Sequence, residues 1–161
     1  MKRWIVLGIA LGLATSASVR AQVEVTAAAN HDKLLASSDK KLAANKRLVY
    51  DFWRTVLEAG HLDKASQYLT DGYIQHNPNV PTGRAGFVQF FSQFAKAKPV
   101  EPKMKAPLVS IVAEADRVVL AVVHRERDPA DSTKTYTTTS FDMFRIEGGK
   151  IAEHWDADRK E

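Results

Sequence analysis

Apolar residues recur at three- and four-residue spacing through Leu42, Leu48, Val49, Phe52, Trp53, Val56 and Leu57. That period buries one face of a helix and predicts one running from a cap at Ser38 to about Ala59, stopped by Gly60. Leu62, Ala65 and Leu69 predict a second, shorter helix. Tyr73 to His76 reads as a brief extended segment. Asn77-Pro78-Asn79-Val80-Pro81 then fixes a rigid, non-helical loop, because two prolines restrict their own φ and that of the residues before them. Thr82 caps a third helix over about Gly83 to Lys96, with Phe87, Phe90, Phe91 and Phe94 as an aromatic stripe for core packing. Beyond Pro102 the period changes to two. It predicts strands over Met104–Ala113, Arg117–Arg127, Lys134–Ile146 and Lys150–Ala157, joined by short turns and hence antiparallel.

Helices first and a β-meander second define an α+β fold: three N-terminal helices packed on a curved antiparallel sheet that encloses a pocket. The last hairpin carries the candidate chemistry. Asp142, His154 and Asp156 are polar side chains in strands that are otherwise apolar. His154 and Asp156 are two apart and point the same way. Whether Asp142 joins them depends on the turn, since a one-residue slip exchanges the faces of a strand. A Gly148-Gly149 loop pairs Glu147 with Lys150 and sets Asp142 against Trp155. A three-residue loop, Glu147-Gly148-Gly149, pairs Asp142 with His154. The three-residue loop is preferred, with Gly149 in the left-handed position of a G1 bulge.

Two carboxylates and an imidazole beside apolar residues suit proton transfer. Asp156, His154 and Asp142 are accordingly the expected catalytic residues. His76 before the rigid loop, His124 at the end of an apolar strand, and Trp53, Tyr50 and Tyr73 are the expected substrate contacts. The histidines and an Asp have the donor types for zinc or iron, but no His-x-His or His-Glu-x-x-His spacing is present, so no metal is expected. No Gly-rich loop cradles a phosphate, and no cofactor is expected.

The 161-residue chain is long enough for one domain with a real core. Lys2 and Arg3, the apolar run Trp4–Leu13 and Val19-Arg20-Ala21 form a secretory signal peptide over residues 1–21. Its apolar run is shorter than the roughly 20 residues of a membrane span, so no stable membrane insertion is expected after cleavage. Residues 22–38, rich in Ala, Ser, Thr and Lys, read as a flexible linker, and 39–161 as the single domain. Removing Lys2, Arg3 and Arg20 reduces the formal +4 to about +1, which together with the lack of basic runs argues against a nucleic-acid partner. The chain has no cysteine, which excludes disulfides and thiol chemistry.

Two stretches, Tyr73 to Arg84 and Phe141 to Asp156, resemble the SnoaL-like proteins of the nuclear-transport-factor-two-like superfamily. The resemblance spans roughly Lys40 to Asp158. It implies a cone-shaped fold, a homodimer paired through the outer sheet face, and cofactor-free chemistry. In the family's polyketide cyclases a pocket carboxylate works as general acid/base in an intramolecular aldol condensation, and Asp156 matches it. Those cyclases carry a histidine where this chain has Asp142. The expected function is an exported, periplasmic general acid/base enzyme acting on a small hydrophobic carbonyl compound by aldol condensation, cyclisation or isomerisation. The alternative is a non-catalytic periplasmic ligand-binding or dimerisation module.

Overall fold

The computed structural model describes residues 22–160, so the expected signal peptide lies outside the described residues. The expected linker is docked rather than detached. Ala28 N–H donates to Leu108 O (2.8 Å), Val25 N–H to Thr137 Oγ1 (2.7 Å), and α1 (His31–Leu35) sinks Leu35 into the core. The long helix α2 (Lys40–Phe52) is capped by Asp39, whose side chain accepts from Lys41 N–H and Leu42 N–H, in place of the expected Ser38. It continues through a π-helical turn, Trp53–Glu58, before Gly60 ends it. Gly60 has φ 72°, and a Cβ there would lie 2.7 Å from Lys96 O, so position and backbone both demand glycine.

The second helix is a 3-10 turn, Leu62–Lys64, leading into α3 (Ala65–Tyr68). The segment read as briefly extended is a full strand, β1 (Leu69–Gln75), followed by the loop and α4 (Arg84–Phe91). Thr82 does not cap α4. Its hydroxyl donates to Tyr73 O and accepts from Gln75 N–H, which pins the proline loop to β1. Strands β2 (Leu108–Glu114), β3 (Arg117–Arg127), β4 (Thr135–Glu147) and β5 (Lys150–Trp155) form the meander.

The sheet order is β1-β5-β4-β3-β2. It is mixed rather than all antiparallel, because β1 runs parallel to β5, with Gln75 opposite His154. Helices cover one face. Val49 and Phe52 of α2 and Val56 of the π turn pack there against Leu120, Phe144 and Ile151 of the sheet, all essentially solvent-free.

The last hairpin departs from the expected register in two one-residue steps in the same direction. Glu147 pairs with Lys150, so the loop is the two residues Gly148 and Gly149, both at positive φ as a type I′ turn requires. The ladder then slips: Ile146 faces Ile151 but Arg145 faces Glu153, which makes Ala152 an extra residue. Ile151 and Ala152 are consecutive and both buried, as a β-bulge allows and a regular strand does not. Beyond it Phe144 pairs with His154, not Asp142. The pairing is two residues from the expected one, and two residues preserve the face.

The outer face carries a polar lattice. His76 Nε2–H donates to Glu153 Oε1 (2.8 Å), and Arg145 Nε–H donates to Glu153 Oε2 (2.7 Å). The His76 bond first, and the arginine second, hold the Glu153 carboxyl below its ordinary 4.5. A carboxyl that is more acidic folded than unfolded adds stability above its unfolded value and loses it as pH falls through the folded one. Glu153→Gln is therefore expected to flatten the decline in melting temperature below about pH 4.5, measured by circular dichroism against the parent.

Candidate active site

Between the helical layer and the sheet lies a cavity of about 380 Å³, within the range of small-molecule sites. Phe52, Trp53 and Leu57 from α2 and its π turn, Phe87 and Phe91 from α4, and Val80 from the proline loop form its apolar wall. Tyr73, Gln75, Asn77, Asp142, His154 and Asp156 form the polar wall, with Asp158 at its edge. The π turn widens the helix end where Trp53 and Leu57 enter the wall, a common position for such a distortion.

His154 is the hub of the polar wall and is 8% exposed. Its ring lies over Phe144, 4.7 Å between centroids. Nε2 is 3.0 Å from Asp142 Oδ1, Nδ1 is 2.8 Å from Gln75 Oε1, and Nδ1 is 3.9 Å from Asp156 Oδ2. The hydrogen-bond directions determine where protons sit. Asn77 N–H, which can only donate, bonds to Gln75 Oε1 at 3.0 Å and identifies that atom as the amide oxygen. Nδ1 must then carry a hydrogen to reach the same oxygen. With that hydrogen committed, the Nε2–Oδ1 contact needs a second one. Asp142 Oδ1 and His154 Nε2 are thus joined, 3.0 Å apart, by a hydrogen on one or the other of them.

Asp156 is held differently. Asn77 Nδ2–H donates to Asp156 Oδ2 (2.8 Å) and to Asp158 Oδ2 (2.9 Å), while Asp158 N–H donates to Asp156 Oδ1 (3.0 Å). Asn79 N–H donates to Asn77 Oδ1 (2.9 Å), which fixes the amide's orientation. Both oxygens of Asp156 accept, an arrangement that suits a carboxylate. Tyr73, 2% exposed, accepts from Gln75 Nε2–H at 3.0 Å. Burial pushes its phenol up, and the charges of Asp156 and then Asp142 push it further.

One oxygen each from Asp142 and Asp156 and one nitrogen of His154 lie within 4.8 Å of one another, a spacing open to a metal ion. Both imidazole nitrogens are already engaged, however, and a metal would have to displace Gln75 or Asp142.

The structure brings Asp142, His154, Asp156, Trp53 and Tyr73 to one cavity, as expected. Three other expected contacts lie elsewhere. His76 is on the opposite face, stacked on Trp155 at 5.0 Å and bonded to Glu153. His124 shares a face with Leu120 and Val122, but β3 is exposed beyond Val123, and the ring sits in solvent beside Glu126. Tyr50 is buried but structural: its hydroxyl receives Met104 N–H and contacts His31 Nδ1. Gln75 and Asn77 were missed. Their signal was strand alternation, since Tyr73 in the wall puts Gln75 and Asn77 beside it and His76 opposite.

The sequence model of the SnoaL-like polyketide cyclases matches residues 47–159. No curated protein matches. Among solved structures, one provisionally assigned as a polyketide cyclase from Acidithiobacillus ferrooxidans is 17% identical, with a TM-score of 0.51 over 76% of this chain and 89% of that one. A protein provisionally assigned as a SnoaL-like polyketide cyclase from Jannaschia sp. CCS1 is 15% identical, with a TM-score of 0.51 over 74% and 88%. An epoxide hydrolase of the LEH-like type from M. tuberculosis is 13% identical, with a TM-score of 0.49 over 72% and 83%.

Proposed function

We propose, from the premise that this chain belongs to the SnoaL-like polyketide cyclase family, that it is a cofactor-independent acid/base enzyme. Its substrate would be a small hydrophobic compound carrying a carbonyl group. The observation that supports this best is the 3.0 Å contact of His154 Nε2 with Asp142 Oδ1, set beside Asp156 on the polar wall of an apolar cavity.

In this reading Asp156 removes a proton α to the carbonyl. The C–H electron pair forms the enolate, and the proton of the Asp142–His154 pair passes to the enolate oxygen. The enol then attacks a second carbonyl of the same molecule and closes a ring, its O–H proton returning to the Asp142–His154 pair and the new alkoxide taking the Asp156 proton. A conjugated dienol instead takes the Asp156 proton at its γ-carbon while its O–H proton returns to the pair, which is isomerisation. Phe52, Trp53, Phe87 and Phe91 keep water from the developing charge, which makes each polar contact stronger. The same reading takes the protein as exported, on its signal-like N-terminal run, and as a homodimer. Phe141 and Val112, both exposed on the outer sheet face, support pairing there.

The test is deuterium incorporation at the α-carbons of acetophenone, 2-acetonaphthone and 2-tetralone in D2O, read by NMR. Exchange above the buffer rate with at least one ketone is expected. A wild-type protein that exchanges none of them would remove the support for enolisation.

A further inference from the structure

The wall contains a donor that the acid/base steps leave unused. Tyr73 accepts from Gln75 Nε2–H, and among the described residues its own hydroxyl hydrogen has no acceptor. The phenol keeps that hydrogen, because burial and two neighbouring carboxyl groups all oppose ionisation. Gln75 links it to the Asp142–His154 pair: His154 Nδ1–H donates to Gln75 Oε1, and Gln75 Nε2–H donates to the phenol oxygen. Donors aligned head to tail polarise one another, so the free O–H at the end of the row is a stronger donor than an isolated phenol.

We infer that Tyr73 is a catalytic residue whose hydroxyl holds the reacting oxygen of the substrate beside the Asp142–His154 pair. The inference rests on the acid/base reading for its chemistry and on the wall for its geometry. It also narrows the ligand. Among the described residues the cavity is lined by Glu58, Asp142, Asp156 and Asp158 and by no lysine or arginine. The oxygen it takes is uncharged, that of a ketone or ester. A free carboxylate would meet Asp156 and Asp158 with no cation to offset them.

The probe is 2-acetonaphthone labelled with 13C at the carbonyl, bound to the full-length mature protein. Its C=O stretch is expected at lower frequency on wild type than on Tyr73→Phe. Deuterium exchange in that variant is expected to fall about 100- to 1,000-fold, the usual loss of one preorganised oxyanion donor. Should Tyr73→Phe fold poorly, 3-fluorotyrosine at position 73 serves instead: a more acidic phenol moves the stretch further down. 2-Naphthoate, which differs by its charge, is expected to bind about 100-fold more weakly than the ketone. An unchanged C=O stretch in Tyr73→Phe, or with fluorotyrosine, would overturn the assignment. A Tyr73-dependent stretch without exchange on wild type would keep Tyr73 as the binding donor and reject the acid/base reading. If wild type binds no ketone of the panel, both fall.

Discussion

Asp156→Asn is expected to lower α-carbon deuterium exchange by about 100- to 10,000-fold, the range typical of a positioned general base. The substitution changes few atoms and leaves the apolar wall untouched. It does disturb the carboxylate's holders. Both oxygens accept, from Asn77 Nδ2–H and Asp158 N–H, and an amide satisfies one of those donors and opposes the other. A stability loss of about 1–3 kcal/mol follows from the unmade bond. Asn77→Ala separates the two effects. It releases the loop from Asp156 and Asp158 while keeping the carboxylate, and should cost stability with a much smaller loss of exchange. Wild-type exchange in Asp156→Asn would remove the residue from the chemistry whatever its effect on melting.

The largest stability effect is expected at Phe144. It is 1% exposed, faces His154 across the ladder and meets Phe52 edge to face at 6.3 Å between centroids. Phe144→Ala removes the floor under the imidazole and leaves a hole that helix and sheet cannot close. The cost of such a truncation is about 3–5 kcal/mol. That is a large share of the roughly 5–15 kcal/mol a domain holds, and should lower the melting temperature by roughly 10–20 °C. Phe141, on the same strand, is 57% exposed on the other face. Phe141→Ala in the monomer should change stability by no more than about 0.5 kcal/mol. Equal melting of the two variants would contradict the assignment of the faces of β4.

Much of this architecture is legible in the pattern of apolar positions. The period of α2 and the boundaries of β3 follow from spacing, because each is set by contacts with one dominant layer. The pairing of β1 is not legible. Its parallel partner lies about 80 residues away in the chain, and nothing local marks it. The hairpin shows a subtler limit. Gly148-Gly149 announces a turn, but Ala152 carries no signal that it bulges, since alanine fits either a bulge or a regular strand. The convergence of Asp142 with His154 was therefore anticipated through the wrong pairs, and survives because the error is even.

The functional residues divide along the same line. Asp142, His154 and Asp156 stand out as polar groups in apolar strands. Gln75 and Asn77 do not, as amides beside a proline loop look like ordinary turn chemistry. His76 drew attention for its titratable ring, whereas the alternation of β1 favoured its neighbours. Tyr50 shows the remaining difficulty. A helix face tells which side chains are buried, but not which of them border empty space.

The extra residue in β5 has a bearing on how the family is compared. Because Ala152 sets which side of the sheet receives everything after it, an insertion or deletion at this single site inverts the destination of both His154 and Asp156. A homologue whose alignment opens a gap there keeps the letters of the motif while presenting them to the outer face of the sheet, unless its turn is one residue longer. Counting residues between the paired glycines and the histidine is thus a filter for inherited chemistry that sequence identity does not supply.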